Sequence, residues 1–391
     1  MAGPLEGDRI IDCTQMISGP LATMILGDQG ADVIKVEPPG GGDPSRVLGG
    51  TTGISPTFAT TNRNKRSIAI NLKTAAGVGL LKRLTATADL FIQNFRPGAA
   101  DRMGIGEPAM RAVKPDLIYV SISGFGEKGP YVHKRVYDPV VQALSGLASI
   151  QADASGRPRM MRLIVPDKVS ALTAAQAMTA ALLARERTGK GQHVRLAMLD
   201  AVVSFLWPEA MAALTFLRRK DVPVRQASRD LVYETRDGYI TAGAISDSEW
   251  QGMARALEHP EWAEDPRFNT PGGRIRNVDS RLEMTAEVLK TRTSAEWLER
   301  LDAEQVPCGP INRREDLLSD PQVRENGLIV ETEHPHAGPM RQARPAARFE
   351  ATPSEIRRPA PMVGEHTNEI LTEIGVGTSE MKSLRGNGVI A

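Results

Sequence analysis

The sequence contains little cysteine and almost no net charge. Of its 391 residues only Cys13 and Cys308 are cysteines, and they form neither a C-x-x-C pair nor a metal-ligand spacing. Two isolated thiols argue against a disulfide scaffold or a metal site and favour a reducing, cytoplasmic environment. The 48 lysines and arginines balance 47 aspartates and glutamates to leave a net charge of +1. Bulk electrostatics therefore gives no reason to expect a nucleic-acid partner or an acidic membrane surface.

Long apolar runs are also missing. No stretch approaches the roughly 18 apolar residues that a membrane-spanning helix requires. The N-terminal sequence MAGPLEGDRI lacks the basic-then-apolar pattern of a secretion signal. These absences predict a soluble protein of the cytoplasm with no membrane partner.

Two phosphate-binding motifs are absent from places where they would be expected. The first strand–helix turn offers only Gly19 in place of G-x-G-x-x-G. Glu37 ends the second strand, where a ribose-binding acid would lie, but without the glycines a dinucleotide site is disfavoured. Gly40–Gly42 have no following Lys-Ser or Lys-Thr. We therefore interpret these glycines as a flexible loop rather than a P-loop.

What the first third of the chain does contain is an alternation of strands and helices. Apolar strand patterns alternate with helical patterns, the first helix having Pro20 at its start, and the predicted strands are Arg9–Asp12, Ala31–Glu37, Ser67–Asn71, Asp89–Phe95 and Asp116–Gly126. Such an alternation predicts an α/β fold with a Rossmann-like, open and mostly parallel sheet.

The loops that follow these strands carry polar side chains suited to a phosphorylated ligand. Ligands of such sheets bind outside the carboxyl ends of the strands. The residues concerned are Gln15, Lys73, Asn94, Arg96 and Lys128. Each of them alone is equally typical of a solvated surface, so their shared position at strand ends is what indicates a site.

Residues 162–195 contain an alanine-rich helical stretch that ends near Gly189 and begins just after Pro166. Asp167 lies at the start of this helix and allows two interpretations. It is either an N-cap, or a carboxylate kept ionised by helix N–H groups so that it can act as a nucleophile. The two roles are compatible, and position alone does not separate them.

The chain changes character after the large α/β region. We predict a large domain in residues 1–215, a linker in 216–232, a small α+β domain in 233–320, and a return arm with the last part of the large domain in 321–391. The small domain begins with a hairpin turning at Asp237–Gly238, and Trp250, Trp262 and Trp297 are candidates for its core. The proline- and arginine-rich stretch after Pro321 predicts an extended arm, followed by a last helix at 365–374 and a short tail.

Several stretches together resemble one family. They occur in family order and cover nearly the whole chain: TQMISGPLATMILGDQGADVIKVEPPGGGDPSR, NFRPGAADRMG, PDLIYVSISGFGEKGP, YDPVVQALSG, residues 162–195, DPRFNT, VPCGPI and PMVGEHTNEIL. The chain resembles the family III CoA-transferases (CaiB/BaiF), the group that includes formyl-CoA transferase and carnitine CoA-transferase. The resemblance implies a large domain built from both ends of the chain, a smaller central domain and an interlocked homodimer.

The resemblance also implies roles for individual residues. The catalytic aspartate falls on Asp167. The CoA contacts fall on Gln15, Met16, Ile17, Ser18, Asn71, Leu72, Lys73, Asn94, Phe95, Arg96, Arg102, Arg135, Tyr137 and Asp138. Three departures are visible. Pro38 replaces a basic nucleotide contact, the segment PDKVSAL lacks the usual glycines around the aspartate, and AGAISDSEW replaces a glycine-rich substrate loop, which weighs against oxalate or formate.

The function implied is transfer of CoA between an acyl-CoA and a carboxylic acid through covalent aspartyl intermediates. CoA is a substrate here, and no permanently bound cofactor or metal is expected. A dicarboxylate such as succinate is favoured on family grounds, and Lys168 is either a partner of an acceptor carboxylate or a solvated lysine.

Three alternatives remain. The first is a 2-methylacyl-CoA racemase of the same family, which needs a histidine as general base where Tyr137 stands. Tyrosine is a poor base at neutral pH. His133 could replace the missing histidine only after a rearrangement of the loop. If Tyr137 and Asp138 have only a structural role, Tyr137 is a buried tyrosine and Asp138 is a helix cap. The chain could also be an inactive CoA-thioester-binding protein or a CoA-thioester hydrolase.

Overall fold

The computed structural model describes residues 3–49, 53–153, 155–218 and 230–391. Its strands are β1 Arg9–Cys13, β2 Asp32–Glu37, β3 Lys65–Ala69, β4 Leu90–Gln93, β5 Ile118–Ser123, β6 His193–Ala197, β7 Tyr233–Glu234, β8 Tyr239–Ala242, β9 Cys308–Pro310, β10 Ile329–His334 and β11 Gly338–Ala343.

Helices α1 to α9 are Ser18–Asp28, Pro56–Thr61, Ala75–Thr85, Ala99–Arg102, Glu107–Val113, Asp138–Leu144, Leu147–Ile150, Val165–Thr188 and Met198–Leu206. Helices α10 to α17 are Ala212–Thr215, Asp247–Ala256, Pro271–Arg276, Val278–Leu289, Ser294–Ala303, Pro321–Glu325, Thr367–Glu373 and Thr378–Gly386. Short 3₁₀ turns lie at Pro44–Val47, Pro260–Ala263 and Asp316–Leu318. Among the described residues, no helix combines the length and apolarity needed to traverse a bilayer.

The central element is a six-stranded sheet in the order β3-β2-β1-β4-β5-β6. Every neighbouring pair in it is parallel, which confirms the predicted α/β fold with a parallel sheet. Side chains alternate between two cores. Ile10, Ile92 and Val120 pack with α1, α8 and α9 on one face, whereas Ile11, Phe91 and Tyr119 pack with α3 and the C-terminal helices on the other. Burial on both faces explains why the strands are almost continuously apolar.

The chain separates into two compact units. The larger consists of Met1–Gln151, Pro158–Ala212 and Gly327–Ala391, and the smaller of Ala152–Arg157 and Ala213–Asn326. In the smaller unit, the antiparallel sheet β7-β8-β9 and helices α11–α14 enclose a core that includes Trp250, Trp262 and Trp297, as the sequence predicts. Residues 219–229 of the predicted linker lie outside the described residues.

The C-terminal region differs from the prediction. The arm predicted to be extended contains the antiparallel hairpin β10–β11, whose second strand begins at Gly338 with φ +76°. The predicted tail is helix α17, and its Met381 is buried on the same face of the sheet as Ile370 of α16. Composition favoured an arm because prolines and arginines are common there, but the apolar positions of both elements are too sparse to form a clear pattern.

The third strand also begins earlier than predicted, at Lys65 instead of Ser67. Both Lys65 and Arg66 are buried, with 0% and 6% of their surfaces exposed. Their charges made them resemble a loop, yet Lys65 forms an ion pair with Asp12 of β1 at 2.9 Å. A buried, paired lysine can occupy a buried strand because its partner offsets part of the cost of removing it from water.

Candidate active site

Two loops meet at the point where the strand order of the sheet reverses. They are the loops that follow β1 and β4, which are neighbouring strands with Cys13 opposite Gln93. Beyond their ends, the backbone N–H of Gln15 donates to Asn94 Oδ1 at 2.9 Å, and Asn94 Nδ2 donates to the carbonyl of Gln15 at 2.8 Å. This reversal point is where open α/β sheets bind ligands. The structure therefore brings two of the predicted site residues together.

The loop after β1 also reaches Asp167. Ser18, the first residue of α1, lies close enough to the Asp167 carboxyl group for its hydroxyl and its backbone N–H to lower the pKa of that group. Gly19 allows the tight loop that makes this possible, because a Cβ at that position would lie 2.3 Å from Thr14 Cβ. Helix α1 packs along α8, where buried alanines such as Ala171 and Ala174 permit a close approach. Asp167 is thus held between the N-termini of two helices.

The expectation that Asp167 is an N-cap is wrong. Helix α8 starts at Val165, so Asp167 is its third residue. The expected electrostatics is also different, because burial, followed by repulsion from Asp138, raises the pKa of Asp167 to about 6, while the hydrogen bonds from Ser18 oppose that rise. At pH 7 about 90% of such a group is still ionised. Asp167 is a destabilised carboxylate, which makes it more basic than an ordinary surface aspartate.

This pKa shift predicts a pH-dependent stability difference. The pKa is about 6 in the folded protein against 3.8 for an ordinary aspartate, so the folded state binds more protons between those values and the free energy of unfolding falls as the pH rises through them. We expect Asp167→Asn to be more stable than wild type by about 1–2 kcal/mol at pH 7, after allowing for partial exposure, and similar to wild type near pH 4. Urea denaturation at both pH values checks this. Equal stabilities at pH 7 would contradict it.

Asp138 contacts the backbone of Asp167 and is almost fully buried, with 3% of its surface exposed. Its Oδ2 accepts the backbone N–H of Asp167 at 3.2 Å, and its Oδ1 accepts Gln142 Nε2 at 2.6 Å. Gln142 Oε1 in turn accepts the N–H of Met161 at 2.9 Å. Asp138 therefore supports the segment that leads into α8 and directs its charge at Asp167. Both of its carboxylate oxygens are engaged in this support.

The two predicted residues just before Asp138 are exposed. Tyr137 has 69% of its surface exposed and Arg135 is exposed as well. The interpretation of Tyr137 as a buried tyrosine is therefore wrong. Both side chains are available to a ligand, and their contact with CoA stays a prediction.

The Asn71–Lys73 segment lies at the end of the edge strand β3, two strands from β1. The N–H of Asn71 donates to the carbonyl of Val389 at 2.8 Å, and its Oδ1 accepts the N–H of Lys73 at 3.1 Å. Leu72 packs against the nearby core, whereas Lys73 is exposed. Asn71 thus shapes the turn, and Lys73 is the member of this segment whose charge can reach a phosphate.

The loop after β4 borders a cavity of about 340 Å³. Phe95 and Arg96 line one side of it, and Ser121 and His193, whose Oγ and Nε2 atoms are 2.9 Å apart, line another. The side chains of Arg96 and Arg102 are exposed. Among the described residues, no group of three or more histidine, cysteine or acidic side chains could hold a metal ion.

Sequence reasoning missed a buried ionic cluster beneath the loop after β1. Its four innermost charges are on Asp12, Lys35, Asp43 and Lys65, and each has at most 1% of its surface exposed. Lys35 Nζ lies 2.9 Å from Asp43 Oδ2. The available signal was the presence of charged residues inside the apolar strands RIIDC and DVIKVE, since charges are almost never buried there unless they are paired.

Comparison with known proteins identifies the family. The family model of CoA-transferase family III matches residues 5–367. The human succinyl-CoA:glutarate CoA-transferase is 35% identical over 380 residues, covering 95% of this chain and 86% of that protein. The Escherichia coli formyl-CoA:oxalate CoA-transferase is 31% identical over 420 residues, covering all of both chains. The crystal structure of a CaiB/BaiF family protein from Brucella suis superposes with a TM-score of 0.82 at 30% identity, covering 96% of this chain and 100% of that chain.

These matches favour transferase over racemase, because the curated relatives carry transferase names. The matched regions include the parallel sheet and the strand-end loops described above. The chain belongs to CoA-transferase family III, the CaiB/BaiF family, and is an enzyme of the CoA-transferase type.

Proposed function

We propose that the enzyme moves CoA from a dicarboxylic acyl-CoA to a second dicarboxylic acid, with Asp167 as the nucleophile. The observation that carries this proposal is the placement of Asp167. It is partly buried, its pKa is raised, and the hydroxyl and N–H of Ser18 at the N-terminus of α1 oppose that rise. A desolvated carboxylate that is still ionised at neutral pH is a suitable covalent catalyst.

The first half of the reaction frees the donor acid. A carboxylate oxygen of Asp167 attacks the thioester carbonyl of the donor, the C–S bond breaks, and CoA leaves as a thiolate. The products are CoA thiolate and a mixed anhydride of Asp167 and the donor acid. The thiolate then attacks the Asp167 carbonyl carbon of the anhydride, which releases the donor acid as a carboxylate and leaves an aspartyl-CoA thioester.

The second half reverses these steps with the acceptor. The acceptor carboxylate attacks the aspartyl thioester and expels CoA thiolate, giving a new anhydride. The thiolate then attacks the acceptor carbonyl, which forms the product acyl-CoA and restores the Asp167 carboxylate. No proton is gained or lost in the complete exchange, so the site needs no general base.

Ser18 is the candidate group for stabilising the oxyanions of these steps. Each attack on the Asp167 carbonyl places negative charge on an oxygen of the carboxyl group that lies near the hydroxyl and N–H of Ser18. A preorganised donor of this kind contributes about 2.7–4 kcal/mol to the transition state. The N–H groups of the preceding loop are less suitable, because those of Thr14, Gln15 and Met16 are bound to side chains.

The exposed cations and amides at the strand ends are proposed to bind CoA. Lys73, Arg96, Arg102 and Arg135 are exposed, and their charges suit the phosphates of the nucleotide. Gln15–Ser18 would border the thioester end, since Ser18 contacts Asp167. Lys168 is exposed beside the nucleophile, and we assign it to the distal carboxylate of the substrate.

The dicarboxylate preference draws support from a relative and from a sequence feature. The human relative is named for succinyl-CoA and glutarate. This chain has AGAISDSEW where formyl-CoA transferase has a glycine-rich substrate loop. We expect chromatography of CoA esters to show that the protein converts succinyl-CoA plus glutarate into glutaryl-CoA. Formyl-CoA plus oxalate should react at least about tenfold more slowly, as an energy difference of about 1.4 kcal/mol at the acid pocket would cause. Exchange of the α-proton of 2-methylacyl-CoA without any transfer would contradict the proposal.

We further propose that the enzyme is a homodimer of the interlocked type. The large unit exposes apolar side chains on and after its long helices, with 61% of Leu172, 50% of Leu183, 60% of Phe205 and 44% of Trp207 exposed. Exposed apolar groups of this size mark surfaces that a protein partner covers. Sedimentation velocity should therefore give twice the 42.3 kDa mass of the chain, and a monomer at micromolar concentration would refute the assembly.

A further inference from the structure

Side chains from three different segments hold the loop between β1 and α1. Its successive backbone N–H groups donate to one side chain each. Thr14 donates to Asp12 Oδ1 at 2.9 Å, Gln15 to Asn94 Oδ1 at 2.9 Å, and Met16 to Asp43 Oδ1 at 3.2 Å. A short loop with every one of these groups fixed is preorganised rather than adaptable.

Met16 is the strained residue of this loop. Its φ of +70° lies in the left-handed region, which methionine rarely adopts and which costs on the order of 1–3 kcal/mol. A residue with a Cβ keeps such a backbone conformation only where the surrounding structure holds it there. At Met16 itself, that surrounding group is the Asp43 carboxylate.

Asp43 is well fixed for this task. It is 1% exposed, and its Oδ1 also accepts the N–H and the hydroxyl of Ser45 at 2.9 and 2.8 Å. Its Oδ2 lies 2.9 Å from Lys35 Nζ, and the same Nζ donates to the carbonyl of Thr14 at 3.0 Å. The Lys35–Asp43 pair therefore holds the turn at two points, the Thr14 carbonyl and the Met16 N–H.

We propose that Asp43, supported by Lys35, is a positioning residue that keeps Met16 left-handed and thereby holds Ser18 against Asp167. This inference rests on the proposed role of Asp167 as nucleophile. Asp43 has no assigned contact with substrate or with Asp167, so it acts through the backbone. If Met16 relaxed to a negative φ, the chain direction would change two residues before Ser18, and Ser18 would move away from Asp167.

The proposed effect has a signature that a purely structural role lacks. Asp167 is influenced by burial, by Asp138 of α6, which raises its pKa, and by Ser18 of α1, which lowers it. Removing the Ser18 contacts leaves the two raising influences unopposed. The acidic limb of the pH–rate profile, which reports ionisation of Asp167, should then move to higher pH.

The experiment compares Asp43→Ala and Asp43→Asn with Asp28→Asn as a matched control. Asp28 is also buried and paired, with Arg63 Nη2 at 2.7 Å, and the hydrogen-bond partners of its carboxylate, Arg63 and Asn64, lie outside the loop. For Asp43→Ala we expect kcat for CoA transfer to fall about 10–100-fold and the acidic limb to shift upward. Asp43→Asn should show a smaller change in the same direction, because an amide oxygen can still accept the Met16 N–H. Asp28→Asn should lose stability while its acidic limb stays where it is in wild type.

The outcomes separate this inference from the proposed function. A folded Asp43→Ala protein with the wild-type kcat and acidic limb would overturn the positioning role, and if that variant does not fold, an unchanged limb in Asp43→Asn does the same. Equal limb shifts in the Asp43 and Asp28 variants would also overturn it. Failure of the proposed function looks different, because wild-type protein would then transfer CoA without requiring Asp167, or would not transfer it.

Discussion

Replacing Asp167 with alanine or asparagine is expected to lower kcat for CoA transfer by at least about 10⁴-fold, since loss of a covalent nucleophile removes a whole reaction path. Neither replacement can form the anhydride or the aspartyl thioester. Because the fold does not depend on an ionised group at this position, both variants should remain folded and should still bind acyl-CoA.

The chain provides a matched control for this prediction. Asp200 is the third residue of α9, just as Asp167 is the third residue of α8. Asp200 is exposed, however, whereas Asp167 is partly buried. Asp200→Asn tests the effect of losing a carboxylate from a first helical turn, and we expect it to change kcat by less than about threefold, as is usual for surface substitutions that alter stability by within about 0.5 kcal/mol. Comparable losses in the two variants would mean that Asp167 acts through its helix and not as a nucleophile.

The second large effect concerns stability. Lys65→Met is expected to lower the free energy of unfolding by about 3–5 kcal/mol, because removing one member of a buried ion pair leaves the other charge unpaired. Lys65 Nζ donates to Asp12 Oδ2 at 2.9 Å, to the carbonyl of Pro20 at 2.9 Å and to Asn62 Oδ1 at 2.8 Å. All three acceptors would lose a donor at once, beneath the start of α1.

Arg83→Met is the control for that measurement. Arg83 forms an ion pair with Glu380 at 2.6 Å, but 43% and 46% of the two side chains are exposed. Exposed pairs of this kind contribute about 0–1 kcal/mol. Urea denaturation of the two variants should therefore give clearly different losses. A loss below about 1 kcal/mol for Lys65→Met would show that the buried cluster contributes little to folding.

The sequence predicts the sheet better than it predicts the buried charges. Alternating strands and helices are a local, repeated signal, and the parallel sheet follows from the requirement that each strand be covered on both faces. Lys35 and Lys65 break that signal, since the partner of Lys65, Asp12, is on another strand and the partner of Lys35, Asp43, lies in the loop after β2. Charges that neutralise each other across a fold are visible only once the fold brings them together.

The candidate site shows the same division. The sequence places Asp167 at the start of a helix and Gln15 and Asn94 after strands, because such positions follow from local patterns. The closeness of Ser18 to Asp167 depends on how α1 meets α8, and the left-handed Met16 depends on the Asp43 carboxylate. The raised pKa of Asp167 could not be predicted either, since it arises from burial and from Asp138 on another helix. The hairpin β10–β11 was missed for a related reason, as its strands are half polar and lack a strong apolar alternation.

The central claim is that Asp167 becomes covalently modified during transfer. The most direct test is to mix the protein with succinyl-CoA, trap the activated aspartyl group with hydroxylamine, and map the product by peptide mass spectrometry. We predict a hydroxamate on Asp167, none on Asp200, and no trapped product in Asp167→Ala. Transfer of CoA to glutarate without any adduct at Asp167, or with the adduct on another residue, would contradict the account.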